Sequence, residues 1–258
     1  MQMTETLDDA TDRVVRNVML AGVVPALVIG AALFLVNPIV GILALVIIAG
    51  VWVAAVAARV RDALTTVVSP LGASPLVAGR HPRLDNLLDG LCATAGVNLP
   101  EVRVIDTEQM NGLVAADRDG AVLVVTSGLI DGLGRIELEG AVANLLGRQR
   151  DGSARYSTVV TALFGPSGLG TRLLVSGLGD QRSVRSDMAA VDLTRYPPGL
   201  ISALSKMEGA GTLVSSAPQR SMHLWLAPPM TGTGSLDDQL AQTTMQPLTL
   251  RIAVLEEL

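Results

Sequence analysis

Cysteine occurs once in the 258 residues, at Cys92, and histidine twice, at His81 and His223. The first scarcity excludes an intrachain disulfide and any cysteine-rich metal centre. The second confines any zinc mechanism to two isolated rings with no paired spacing, and such histidines are usually surface or capping residues. Lysine also occurs once, at Lys206, so nearly all of the 19 basic residues are arginine. A net charge of −5 without a basic stripe argues against nucleic acid as a partner. Aromatics make up only 2%, so a core must be built from closely packed Ala, Val and Leu. Cys92 falls in LDNLLDGLCATAG, where a buried structural thiol on a helix face is the expected role.

What the chain has in plenty is apolar length. Hydrophobic residues reach 49% and mean hydropathy is +0.46, high for a wholly soluble protein. Two runs account for much of it, NVMLAGVVPALVIGAALFLV and IVGILALVIIAGVWVAAVAARV. Each offers about 20 uncharged residues, enough for a helix to cross the hydrocarbon core. Asn37-Pro38 between them is a turn signal, because proline disfavours helical geometry in the residue before it. The expectation is a transmembrane helical hairpin over 17–60, with 1–16 as an N-terminal segment. A signal peptide is the weaker alternative, since a second span follows at once. Arg13 and Arg16 flank the first run, and Arg59 and Arg61 the second, whereas the turn carries no positive charge. The positive-inside rule then places both termini and the large domain in the cytoplasm, with the hairpin in the cytoplasmic membrane.

Residues 61–80 carry Pro, Gly and Ser punctuation and are expected to be a linker to a domain over 81–258. In that domain Leu84, Leu87, Leu88 and Leu91 follow helical spacing, and EVRVID and GAVLVVTSG are expected strands. Helices are expected at 135–150, 183–195 and 198–208, with a short one in LTLRIAVLEEL. The apolar pieces YSTVVTALFG and GTRLLVSG are too short to span a membrane, and 209–245 is expected to be mostly loop. Strands and helices segregate, which favours α+β. GPSGLG at 165–170 lacks the Lys-Ser/Thr ending of a phosphate loop and is taken as a connector.

The order of these pieces resembles that of the HtpX-like membrane zinc metallopeptidases, the family that includes the CAAX prenyl endopeptidases. HPRLDNLLDGLCATAGVNLPEVRVID is similar to the family's helix and first strand, and VLVVTSGLIDGL to the strand and turn before its active-site helix. IELEGAVANLLGRQ matches the stretch that normally carries HExxH. SVRSDMAAVDLTRYPPGLISALSKMEG resembles the second metal helix and its sequel, and HLWLAPP and QPLTLRIAVLEEL the closing segments. The resemblance implies a mainly helical, zincin-like domain with a small β-sheet behind the hairpin, and zinc as the family's metal.

An HExxH helix works because residues four apart share a face, so two histidines reach one Zn²⁺ while the glutamate between them activates water. Carried onto this chain, the two ligand positions hold Asn144 and Arg148, the general-base position Leu145, and the third-ligand position Ser183. Leucine moves no proton, asparagine is a poor ligand, and arginine stays cationic and would repel a dication. The resemblance therefore points to a pseudopeptidase without a cofactor. Asp187 matches the family's aspartate that normally bonds a metal-binding histidine, and an Arg148–Asp187 ion pair is the expected substitute for the metal cross-link. Asn111, Val124 and Thr126 are expected to border a peptide-sized cleft whose edge strand accepts an extended segment. The roles that follow are a scaffold, an adaptor or a regulatory subunit for a membrane protein, or a homo-oligomer. The alternatives are a residual metallopeptidase in membrane-protein quality control and a purely structural membrane subunit.

Overall fold

In a computed structural model the described residues are 6–77, 79–165, 167–179, 181–229 and 245–258. Helix α1 (Leu7–Ala21) opens with a capping box between Thr6 and Asp9, and helix α2 (Val23–Phe34) continues it after a break at Gly22. Pro25 explains the break: its ring cannot sit beneath the carbonyl four residues earlier, that of Ala21. The indole of Trp52 donates to the Val18 carbonyl there at 2.9 Å, and it occupies the space a β-carbon at Gly22 would need. Helix α3 (Pro38–Arg61) returns after Asn37, whose side chain caps the amides of Ile39 and Val40. The continuous helical segment Leu7–Phe34 and helix α3 are each long and apolar enough to cross a membrane, and most of the large side chains in their apolar runs face outward.

Of the N-terminal segment expected over 1–16, the described residues from Leu7 onward belong to α1. It packs Leu7, Ala10 and Val14 on a cluster containing Tyr156, Val160, Leu174 and Leu178. The expected linker is likewise structured. It forms α4 (Ala63–Val68), a 3-10 turn and the short strand β1 (Ser74–Pro75), and it buries Val67, Val68 and Leu71 against the sheet. Valine and leucine at those positions outweigh the proline and glycine around them.

The sheet has the order β1-β2-β4-β3, with β2 (Glu101–Ile105) parallel to β4 (Ala121–Thr126) and β3 (Gly112–Ala116) antiparallel to β4. One face packs on α5 (Pro82–Ala95), which buries its leucines and Cys92, and on α7 (Arg135–Arg150). A short helix α6 (Ser127–Gly132), capped by Thr126, links the sheet to α7. Then follow α8 (Ser153–Phe164) and α9 (Gly168–Leu178), both packed into the domain. Helices α10 (Arg182–Thr194), α11 (Pro197–Ala210) and α12 (Leu248–Glu256) complete it. Helix α7 is buried almost all round, and a β-carbon on Gly147 would stand 2.9 Å from that of Ala189 on α10. Glycine there brings α7 and α10 close enough for their polar side chains to meet.

Much of the expected loop over 209–245 is ordered: a 3-10 helix, Gln219–Leu224, leads into a fully buried stretch around Trp225. Residues 230–244 lie outside the described residues. The overall class is the expected one, mainly helical with a small sheet behind apolar helices.

Candidate functional site

The two faces that should carry metal ligands do meet. Asn144 and Arg148 stand one turn apart on α7, and Ser183 and Asp187 one turn apart on α10. All four are buried, with none more than 1% exposed. The Asn144 amide donates to Asp187 Oδ1 at 2.7 Å and so ties α7 to α10.

Asp187 does not pair with Arg148. Its carboxylate is held by Arg251 of α12, with Nε donating to Oδ2 and Nη2 to Oδ1, both at 2.7 Å. Arg148 turns the other way, and Nη1 donates to the carbonyls of Leu224 and Trp225 at 3.1 and 2.8 Å. The expected Arg148–Asp187 pair is thus replaced by an Arg251–Asp187 pair. The physical reason is geometric, since Arg251 presents its planar fork to both carboxylate oxygens at once.

Arg148 is one of three buried arginines that grip a single stretch of backbone. Arg182 donates to the carbonyl of His223, Arg148 to those of Leu224 and Trp225, and Arg251 Nη1 to that of Leu226 at 2.7 Å. Four consecutive carbonyls therefore face three cations, while Asp187 is the carboxylate in direct contact with the group. Burial, then Arg182 and Arg251, push the Arg148 pKa down, and Asp187 and Asp151 oppose this. Burial lowers Arg182 to about 10, which leaves it charged at neutral pH. Nε of Arg148, and Nε and Nη2 of Arg182, are buried without a hydrogen-bond partner.

The gripped stretch covers the edge of the sheet. Trp225 bridges Leu113 of β3 antiparallel, and the Leu226 amide donates to the Gly112 carbonyl at 2.7 Å. Asn111 clamps the same stretch with its side chain: Nδ2 donates to the carbonyls of Ala227 and Thr212, and Oδ1 accepts from the Ala227 amide. Asn111, Val124 and Thr126 are all 0% exposed. Thr126 Oγ1 bonds the Asn111 backbone and caps α6, and Val124 sits at the centre of the sheet. The three residues expected to border a peptide cleft are therefore buried, and the chain's own stretch 225–227 lies against Asn111 and the start of β3.

This environment does not suit zinc. Leu145, at the general-base position, is part of the apolar core, and its δ1 methyl lies 3.1 Å from where a Gly112 β-carbon would stand. Among the described residues no three His, Cys, Asp or Glu side chains stand together where a metal could be held. His81 occupies the cap position before α5. His223 is buried, with Nε2 3.0 Å from Thr161 Oγ1, and burial followed by the Arg182 charge lowers its pKa to about 3.

No protein-family model matches the chain. It is 28% identical over 196 residues to a Protease HtpX homolog of Tropheryma whipplei (strain Twist), covering 62% of this chain and 67% of that one. A Protease HtpX homolog of Dictyoglomus thermophilum is 29% identical over 188 residues, covering 58% of this chain and 62% of the relative. One from Salinibacter ruber is 28% identical over 221 residues, covering 74% and 80%. The chain is HtpX-like. Over the aligned residues it is similar to these proteases, and two of its helical segments are long and apolar enough to cross a membrane.

Sequence reasoning selected Asn144, Leu145, Arg148, Ser183 and Asp187 but missed Arg182, Arg251 and Trp225. A signal for Arg251 was present: a lone cation inside the apolar run LTLRIAVL has to find an anion or a set of carbonyls.

Proposed function

We propose that this HtpX-like chain is a catalytically inactive, membrane-anchored pseudopeptidase that serves as a scaffold or regulatory subunit for a membrane protein. The observation that carries this reading is Arg148. A buried guanidinium stands at a zinc-ligand position and is committed to the carbonyls of Leu224 and Trp225. No metal step can be written through it, and Leu145 offers no base.

The Trp225 bridge on the start of β3 supports binding through another surface over peptide capture at that edge. A partner would then contact the outward apolar side chains of the hairpin or the domain surface. The flanking arginines support a cytoplasmic position for the domain.

Photo-crosslinking in native membranes tests the role. A crosslinking residue at exposed Val46 of the hairpin, or at exposed Ile136 of the domain, should yield a discrete membrane-protein adduct, including a second copy of this chain. Adducts only with lipid at both positions would overturn the scaffold reading.

A further inference from the structure

A cavity of about 420 Å³ opens where the hairpin meets the domain, outside the cluster of buried arginines. Its size lies in the range of small-molecule sites. Val15 and Met19 of α1, Ala57 and Val60 of α3, and Val159 of α8 give it an apolar wall. Its polar lining includes Arg16, Arg61, Arg118 and Arg155, with Asp12, Asp117 and Asp119.

The lining arginines and aspartates are only partly paired with one another. Asp12 is consumed by Arg118 at 2.7 Å and Arg155 at 2.5 Å, and Arg155 also takes Asp8. Asp117 Oδ1 accepts the amides of Asp119 and Gly120. Arg16 and Arg61 have no carboxylate within salt-bridge distance among the described residues. Arg61 is the last residue of α3, and Arg16 precedes the first apolar run, so both stand where lipid-facing surface gives way to charge. Two unpaired guanidiniums at headgroup height beside an apolar wall match a phosphate diester attached to acyl chains. A free anion would make no use of Met19, Ala57 or Val60.

We propose that this cavity is a binding site for one anionic glycerophospholipid, with its phosphate between Arg16 and Arg61 and its glycerol and upper acyl chain along Val15, Met19, Ala57 and Val60. The site couples the bilayer to α8 through Val159 and Arg155, and it is independent of whether the domain is catalytic.

Native mass spectrometry of the full chain released from detergent provides the test, with dioleoylphosphatidylglycerol or dioleoylphosphatidylcholine as the probe. One phosphatidylglycerol per chain should be retained, about tenfold more tightly than phosphatidylcholine. The R16Q/R61Q variant should lose that preference, whereas R59Q removes an equal charge outside the cavity and should keep it. A57F fills the cavity without altering charge and should also abolish retention, which guards against misfolding of the arginine variant. Equal retention of the two lipids, or loss of preference in R59Q, would overturn the proposal. Displacement of the lipid by an equal concentration of inorganic phosphate would assign the site to a soluble anion and overturn it as well.

Discussion

Arg251 and Asp187, 64 positions apart in the chain, form a two-point ion pair with both side chains sealed from solvent. The pair fastens α12 to α10, and Asn144 extends the connection to α7. Three helices that surround the metal position are thereby cross-linked by hydrogen bonds among an arginine, a carboxylate and an amide.

Removing one partner should be costly. Arg251→Met leaves Asp187 buried with only Asn144 to stabilise its charge, and it should lower stability by about 3–5 kcal/mol. Replacing both, R251M with D187L, should recover most of that loss, because a well-packed apolar pair avoids desolvating two ions. Chemical denaturation of the full chain in detergent gives both values. A single variant as stable as the parent would show that the pair contributes nothing.

Arg148 should act locally. Arg148→Met frees the carbonyls of Leu224 and Trp225 but also relieves repulsion from Arg182 and Arg251. The two effects oppose each other, so global stability should change by less than about 2 kcal/mol. Amide exchange at Leu226, which donates to Gly112, should rise by about tenfold or more as the stretch 224–226 loosens on β3. Unchanged exchange would mean that Arg148 does not hold that stretch.

The buried His223 predicts acid sensitivity. Its folded pKa of about 3 lies below its usual 6.5, so the unfolded chain binds a proton that the folded chain refuses. Stability present above pH 6.5 is therefore lost as the pH falls toward 3, by about 2 kcal/mol at pH 5. His223→Gln removes the titration, and its stability should vary less between pH 7 and pH 5 than the parent's. Equal slopes for the two proteins would place the acid sensitivity elsewhere.

The long periodic elements were legible in the sequence. The hairpin followed from two uncharged runs around Asn37-Pro38, and α7 was placed at its observed bounds, Arg135–Arg150. Strand β3 was not legible, because GLVAA carries one leucine and one valine and no alternation. The linker over 61–80 misled because proline and glycine punctuate it, yet Val67, Val68 and Leu71 find a sheet face that only tertiary structure supplies. At the site, the family resemblance selected Asn144, Arg148, Ser183 and Asp187, and α7 and α10 each set their two residues one turn apart. Which arginine reaches Asp187 depends on where α12 docks, and no local pattern encodes that.

On the proposed reading, arginines that hold the stretch 224–226 beside β3 stand in place of metal chemistry. The decisive measurement is the metal content of the purified full chain together with chelator-sensitive peptide cleavage. Zinc should lie far below one ion per chain, with no cleavage that chelation removes. One tightly bound zinc per chain, lost together with cleavage on chelation, would contradict it.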